Sequence, residues 1–212
     1  MKSLLFGVSS QTSLGYFIGE HLRSAGHEVH YASRSGRIGH ACDVTDVAGV
    51  QRLVGSIRPQ LLVHAAGIFL ATRQLGQTGN WQNLQKHLSA KSIGSVILVD
   101  AAVRFGSVSQ FIAIGGRAVS ADPTYIAYTC GNGALFAAVQ FANRHTSIKS
   151  YMLDLPLVDG SAIGDKFLSA SREQGDRAGG IGVERVMHVV DDIVSGREQR
   201  ERIVVGAEQW SV

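Results

Sequence analysis

Short apolar runs and helically spaced segments alternate along this chain from one end to the other. Lys2–Val8 is an apolar run containing Gly7 and predicts a buried strand; Leu14–Ala25 then carries apolar residues at helical spacing, with Gly26 as its stop. Glu28–Ala32 predicts a second strand, and a third is expected just before Cys42. Val47–Ile57 is helical, with Asp46 as a candidate N-cap and Pro59 beyond its end. Leu61–Ala65 predicts a short buried strand stopped near Gly67, and Trp81–Phe105 a long helical stretch with Asn80 as candidate cap. Gln110–Ile114 predicts a strand closed by Gly115 and Gly116, and Cys130–Phe141 reads as a buried helix that begins around Tyr128. A strand at Lys149–Leu155, a helix at Val183–Val194 and a last short strand at Arg202–Val205 complete the series.

Apolar strands alternating with helices imply βαβ crossovers and a parallel sheet covered on both sides. The expected class is α/β: a single Rossmann-type doubly wound parallel sheet with helices on both faces, forming one domain over residues 1–212. Repeats and linkers are not apparent. Asp159–Gly182, rich in Gly, Ser and charge, is the least regular stretch and reads either as a disordered loop or as a lid over a site.

Composition narrows the function classes. Hydrophobic residues make up 45% and charged residues 17%, enough apolar material for a core. The 25 glycines accompany only three prolines, so they mark turns and close backbone approaches rather than a disordered Pro/Gly chain. A net charge of +3 is too mild to point to nucleic acid or a membrane surface. Two cysteines, Cys42 and Cys130, make no disulfide framework and suit a cytoplasmic setting. The apolar core near Met1 is too short for a signal peptide, and no apolar run reaches the roughly 20 residues of a membrane helix.

Candidate chemistry gathers at strand ends, where doubly wound sheets bind ligands. The turn from Gly7 to Gly15 leads from the first strand into a helix, and such a turn offers N–H groups and a positive helix end to a phosphate. Gly7, Leu14 and Gly15 frame it, and Ser9, Ser10, Thr12 and Ser13 bring hydroxyls where glycines are missing. Ser33 and Arg34 end the second strand with no carboxylate nearby; a guanidinium there accommodates a 2′-phosphate, which favours NADP(H) over NAD if a nucleotide binds. Asp43, followed by Val44, is either an acceptor for an adenine amino group or a turn residue. His64, Ala65, Ala66 and Gly67 end the fourth strand; the small residues let the backbone lie close to a flat ligand, and His64 reads as a packed core histidine. No His/Cys/Asp spacing suggests a metal site. Tyr128 and Asn132, four apart on one helix, share a face. They are either a cap and a satisfied polar residue, or an acid and its helper. A phenol with an unperturbed pKa near 10 needs a cation to act near neutrality, and Lys91 is the candidate.

Taken in this order, the Gly7–Gly15 turn, Asp43–Val44, the His-Ala-Ala-Gly of 64–67 and the Tyr128 helix resemble the short-chain dehydrogenase/reductase family over nearly the whole chain. That family usually carries Y-x-x-x-K, an asparagine on the preceding long helix and a serine after the fifth strand. Here Asn132 stands at the lysine position and Lys91 at the asparagine position, a swap similar to that of ketoreductase domains of polyketide and fatty-acid synthases. The resemblance implies Tyr128 as proton donor, Lys91 as phenol and ribose partner, Asn132 as relay or orienting group, and Pro156 among the cofactor contacts. Two departures stand out: an apparent insertion near Gln11–Thr12 in the glycine turn, and Gly115 or Gly116 where the serine belongs, with Ser120 and Thr124 as substitute hydroxyls.

The resemblance implies an NADP(H)-dependent enzyme that interconverts a carbonyl and an alcohol on a small organic substrate, with no nucleic-acid or membrane partner. Competing readings are a catalytically silent NADP(H)-binding regulatory or partner protein, and a relative carrying out dehydration or isomerisation. Assembly as a homodimer or homotetramer is expected on the two long helices. Ile93, Ile97, Val99, Phe136, Val139 and Phe141 there exceed what one sheet-facing side needs.

Overall fold

Apolar residues occupy nearly every position of the central strands, and this composition places them between two helical layers. The computed structural model describes residues 1–67, 85–86, 88–116, 126–162, 164–165 and 180–206. Its strands are β1 (Lys2–Phe6), β2 (Glu28–Ser33), β3 (His40–Ala41), β4 (Leu61–His64), β5 (Gln110–Gly116), β6 (Lys149–Leu155) and β7 (Arg202–Val204). They form one parallel sheet in the order β3-β2-β1-β4-β5-β6-β7. The helices are α1 (Leu14–Ser24), α2 (Val47–Ile57), α3 (Gly94–Phe105), α4 (Ile126–His145) and α5 (Val183–Val194). The expected doubly wound parallel sheet is the fold observed.

Alternation along each strand sorts side chains onto the two faces. Leu4, Phe6, Leu62, Phe111, Ala113 and Met152 pack with α2, α3 and α4. Leu5, Leu61, Val63, Ile112, Tyr151 and Leu153 pack with α1 and α5. Strand order reverses between β1 and β4, where Phe6 lies opposite His64. The chain leaves β1 toward β2 in one direction and returns to β4 on the other side. A crevice therefore opens at the carboxyl ends of these two strands.

Three details differ from the sequence expectations. Of the long stretch expected at Trp81–Phe105, residues 81–84 and the cap Asn80 lie outside the described residues, and Ser89–Ile93 forms a π-helical turn leading into α3. Asp46 does not cap α2 with its side chain; its carbonyl accepts from the Val50 amide, and its carboxylate lies over Gly49. In α4 only one stripe, including Asn132, Leu135, Val139 and Ala142, is buried, while Cys130 and Phe141 face outward. Within Asp159–Gly182, Ile181 bridges Val158, just before this stretch, in parallel, and the Ala162 amide donates to the Thr12 carbonyl at 2.8 Å. Residues 166–179, on which the lid-or-loop question turns, lie outside the described residues.

Candidate active site

At the crevice, Gly7 has φ +95°, and a Cβ on it would lie 2.3 Å from the Ala66 amide nitrogen. Backbone on both sides leaves no room to yield, so only glycine brings the β1 turn against the end of β4. Gly15 plays a similar part inside α1, where a Cβ would meet Val8 at 3.0 Å and Ala65 at 3.2 Å. Among the described residues no side chain caps α1, and no acidic residue occupies its first turn, leaving the helix's positive end for an anion.

Beside this turn lies a cleft of about 480 Å³. Of the residues singled out in the sequence, Gly7, Ser9, Ser33, Arg34, Asp43, Val44, Ala66 and Gly67 line it. Ser10, Thr12, Ser13, Leu14 and Gly15 are not among its described lining residues. Ser10 and Thr12 hydroxyls pair at 3.0 Å, and Ser13 donates to the Ser10 carbonyl, so these side chains shape the turn. Ala65 joins β1 through its amide, which donates to the Phe6 carbonyl, and Pro156 follows directly on β6. Asp43 accepts from the Thr45 amide and hydroxyl through one carboxylate oxygen. Arg34 is exposed and makes no hydrogen bond or ion pair among the described residues. Sequence reasoning passed over Gln85, Lys86, Ser89 and Ala90, which also line the cleft. Their spacing of three to four residues was the readable signal for one helical face.

At the inner end, the π-helical turn sets Lys91 into the protein, 6% exposed. Its Nζ donates to the Ile114 carbonyl at 2.8 Å and stands 5.4 Å from the centre of the Tyr128 ring. A Cβ on Gly67 would come within 3.3 Å of the Lys91 stem, so the lysine joins the end of β4 to the phenol. Burial lowers the Lys91 pKa to about 8, with Asp154 working in the opposite direction. Burial pushes the Tyr128 phenol up to about 12; a hydrogen bond with Asn132 lowers it and Asp154 raises it further. The lowering of this phenol expected from Lys91 is not found: burial dominates, the one lowering influence is the Asn132 hydrogen bond, and Tyr128 is held as a protonated acid. Asn132, itself buried, donates to the Gly116 carbonyl, and its Oδ1 has no partner among the described residues. His64 is fully buried below Lys91; burial first and Lys91 second push its pKa down to about 3, so it is neutral.

Solved structures share the fold that carries this site. An NADP complex of a short-chain dehydrogenase from Burkholderia cenocepacia superposes with a TM-score of 0.76 at 15% identity, covering 97% of this chain and 88% of that one. An NAD+-bound xylitol dehydrogenase gives 0.77 at 14% identity, covering 96% of each chain. The Bordetella bronchiseptica enzyme WbmG, in complex with NAD, gives 0.70 at 16% identity, covering 97% of this chain and 72% of that one. The chain has the short-chain dehydrogenase/reductase fold. No family model and no curated protein matches the sequence.

Within the short-chain dehydrogenase/reductase fold, packing accounts for glycine at 115 and 116, where the resemblance implied a serine. A Cβ on Gly116 would lie 2.3 Å from the Tyr128 hydroxyl, and one on Gly115 would lie 2.2 Å from the Met152 methyl. The phenol therefore takes up the space beside residue 116 that a side chain would need. Ser120 and Thr124, the substitute hydroxyls considered from sequence, lie outside the described residues. Asp154 was also missed. It is a carboxylate inside an apolar strand, 1% exposed, and its surroundings become visible only once β7 is set beside β6.

Proposed function

We propose that this protein is an NADP(H)-dependent oxidoreductase that interconverts a carbonyl and an alcohol on a small organic substrate. The observation that carries the reading is Lys91, which crosses from the preceding helix to lie between Gly67 and the Tyr128 ring. Charge and amide have exchanged helices while the cation still reaches the phenol.

The residues present fit a dinucleotide. The uncapped start of α1 and the Gly7–Gly15 turn suit a pyrophosphate, Ser33 and Arg34 a 2′-phosphate, and Asp43 and Val44 an adenine. The free Asn132 Oδ1 is a buried acceptor in need of a donor. When bound, the nicotinamide supplies or accepts the hydride. Tyr128, protonated throughout the neutral range, donates a proton to the carbonyl oxygen in the reducing direction. Negative charge then develops on the phenol oxygen, and the Lys91 ammonium and the Asn132 amide stabilise it. His64, neutral and buried, adds no competing charge.

The test is oxidation of NADPH against a panel of ketones and quinones. Tyr128→Phe and Lys91→Met should cause comparable losses, and the double variant little more than either alone, because members of one catalytic unit are not additive. Asn132→Ala should cost less. A second reading, a catalytically silent NADP(H)-binding regulatory protein, is favoured by the phenol resting on Gly116 where a substrate-orienting hydroxyl is expected. Tight NADPH binding with no turnover across the panel would select it.

A further inference from the structure

The sheet face beneath α4 carries charge that neither the cofactor cleft nor the proton transfer uses. On β6, Met152 packs toward α4, whereas Leu153 and Leu155 pack toward α5. Asp154, two residues beyond Met152, therefore faces α4 and the π-helical turn. The register sets it opposite Gly115 on β5. A Cβ on Gly115 would lie 3.6 Å from Asn132 Oδ1, so this glycine lies directly under the Asn132 amide. Adjacent strands are about 4.8 Å apart, which puts Asp154 one strand from the floor of the candidate site.

Among the described residues, the Asp154 carboxylate has one hydrogen-bond partner. Arg202 on β7 donates to its Oδ2 through Nε at 3.1 Å and through Nη2, while the guanidinium lies 5.6 Å over the Phe136 ring of α4. The carboxylate is buried and the arginine side chain is 49% exposed. Apolar residues of similar volume often replace a buried charge pair without loss of stability, so packing is a weak reason for a carboxylate here.

We propose that Asp154, anchored by Arg202, is a positioning residue whose buried carboxylate fixes the charge state of Lys91 and Tyr128 from the sheet side. The inference rests on the reading of those two residues as the proton-transfer pair. Among the described residues, Lys91 is faced by Asp154 from β6, by His64 from β4 and by Tyr128 from α4, and Asp154 is faced by Lys91, Tyr128 and Arg202. His64 and Tyr128 are uncharged at neutral pH, so Asp154 is the only anion of this set. It favours the ammonium on Lys91 against the effect of burial, and it disfavours the phenolate on Tyr128. Both effects hold the pair in its proton-donating form. Arg202 tempers that field from the surface.

The full chain, labelled with 13C at the lysine ε-carbon, reports Lys91 titration by NMR, its signal assigned by loss in Lys91→Met. Asp154→Asn should lower the Lys91 midpoint by roughly one pH unit, the low end of what a single nearby opposite charge imposes. Replacing Asp154 and Arg202 together by leucine, which fills the site without charge, should also lower it. Arg202→Met leaves the carboxylate less neutralised and should raise it. Opposite signs in the Asp154 and Arg202 variants are not what a structural disturbance produces. An unmoved midpoint in both Asp154 variants, or a fall in Arg202→Met as large as that in Asp154→Asn, would overturn the proposal. Because the readout needs no substrate, these shifts in a protein that turns nothing over would sink the reductase reading alone. An active reductase whose Lys91 ignores Asp154 would sink this inference alone.

Discussion

Replacing Lys91 by methionine should change stability in a pH-dependent way that can be worked from its surroundings. The side chain is buried, its Nζ has the Ile114 carbonyl as hydrogen-bond acceptor, and its pKa is lowered from 10.5 to about 8. The folded protein therefore binds this proton less tightly than the unfolded chain does. That penalty is fully present below pH 8, shrinks as pH rises from 8 toward 10.5, and vanishes above. At about 1.4 kcal/mol per pH unit it amounts to about 3 kcal/mol at neutral pH. Methionine keeps an apolar stem of similar length and removes the charge. It also leaves the Ile114 carbonyl without its donor, a loss of about 1–3 kcal/mol that does not vary with pH. Urea unfolding at pH 7 and pH 10 separates the two effects. Relative to the parent, Lys91→Met should be about 2 kcal/mol more favoured at pH 7 than at pH 10. Parallel pH profiles for the two proteins would refute the buried, destabilised ammonium and with it the argument for a lysine kept at a cost to stability for chemistry.

Three further outcomes are expected. NADPH should bind more tightly than NADH, and Arg34→Asp should narrow or invert a difference of about 10- to 100-fold, since charge-assisted hydrogen bonds contribute about 1.5–3 kcal/mol; equal affinities of the parent in fluorescence titrations would contradict this. Gly116→Ala should push the Tyr128 hydroxyl aside and lower kcat about a hundredfold with little change in melting temperature, and unchanged kcat would place the proton donor elsewhere. Ile93, Val96, Val103 and Phe141 are large apolar residues at least half exposed on the π-helical turn, α3 and α4, so Val96→Glu with Phe141→Glu should convert an oligomer to a monomer; a monomeric parent in light scattering at micromolar concentration would contradict the expected assembly.

The fold was legible because burial on both faces makes the strands apolar throughout, and three elements, Val47–Ile57, Lys149–Leu155 and Val183–Val194, fall where the pattern sets them. The helices expected to mediate assembly were legible only in part. Ile97, Val99 and Val139 turn out to be core residues, whereas Ile93 and Phe141 are exposed, a division set by how the helices rotate against the sheet. Spacing alone brought out Tyr128 and Asn132, and the order of motifs brought out Lys91. Tight packing hid the rest. The phenol lying on Gly116 depends on a contact between β5 and α4, and the Asp154–Arg202 pair joins residues 48 apart in sequence. A π-helical turn such as Ser89–Ile93 leaves no mark in a pattern read at 3.6 residues per turn.

The central claim is that Tyr128 and Lys91 serve a hydride transfer between a nicotinamide and a carbonyl. The most direct measurement is deuterium transfer from 4-deuterated NADPH, of both stereochemistries, to a panel of ketones and quinones, with products read by mass spectrometry. The parent protein should deliver deuterium to the carbonyl carbon of at least one substrate from one stereoisomer only, and Tyr128→Phe should lose that transfer while still binding NADPH. Transfer that persists undiminished in Tyr128→Phe, or tight NADPH binding with no deuterated product from any substrate, would contradict the account.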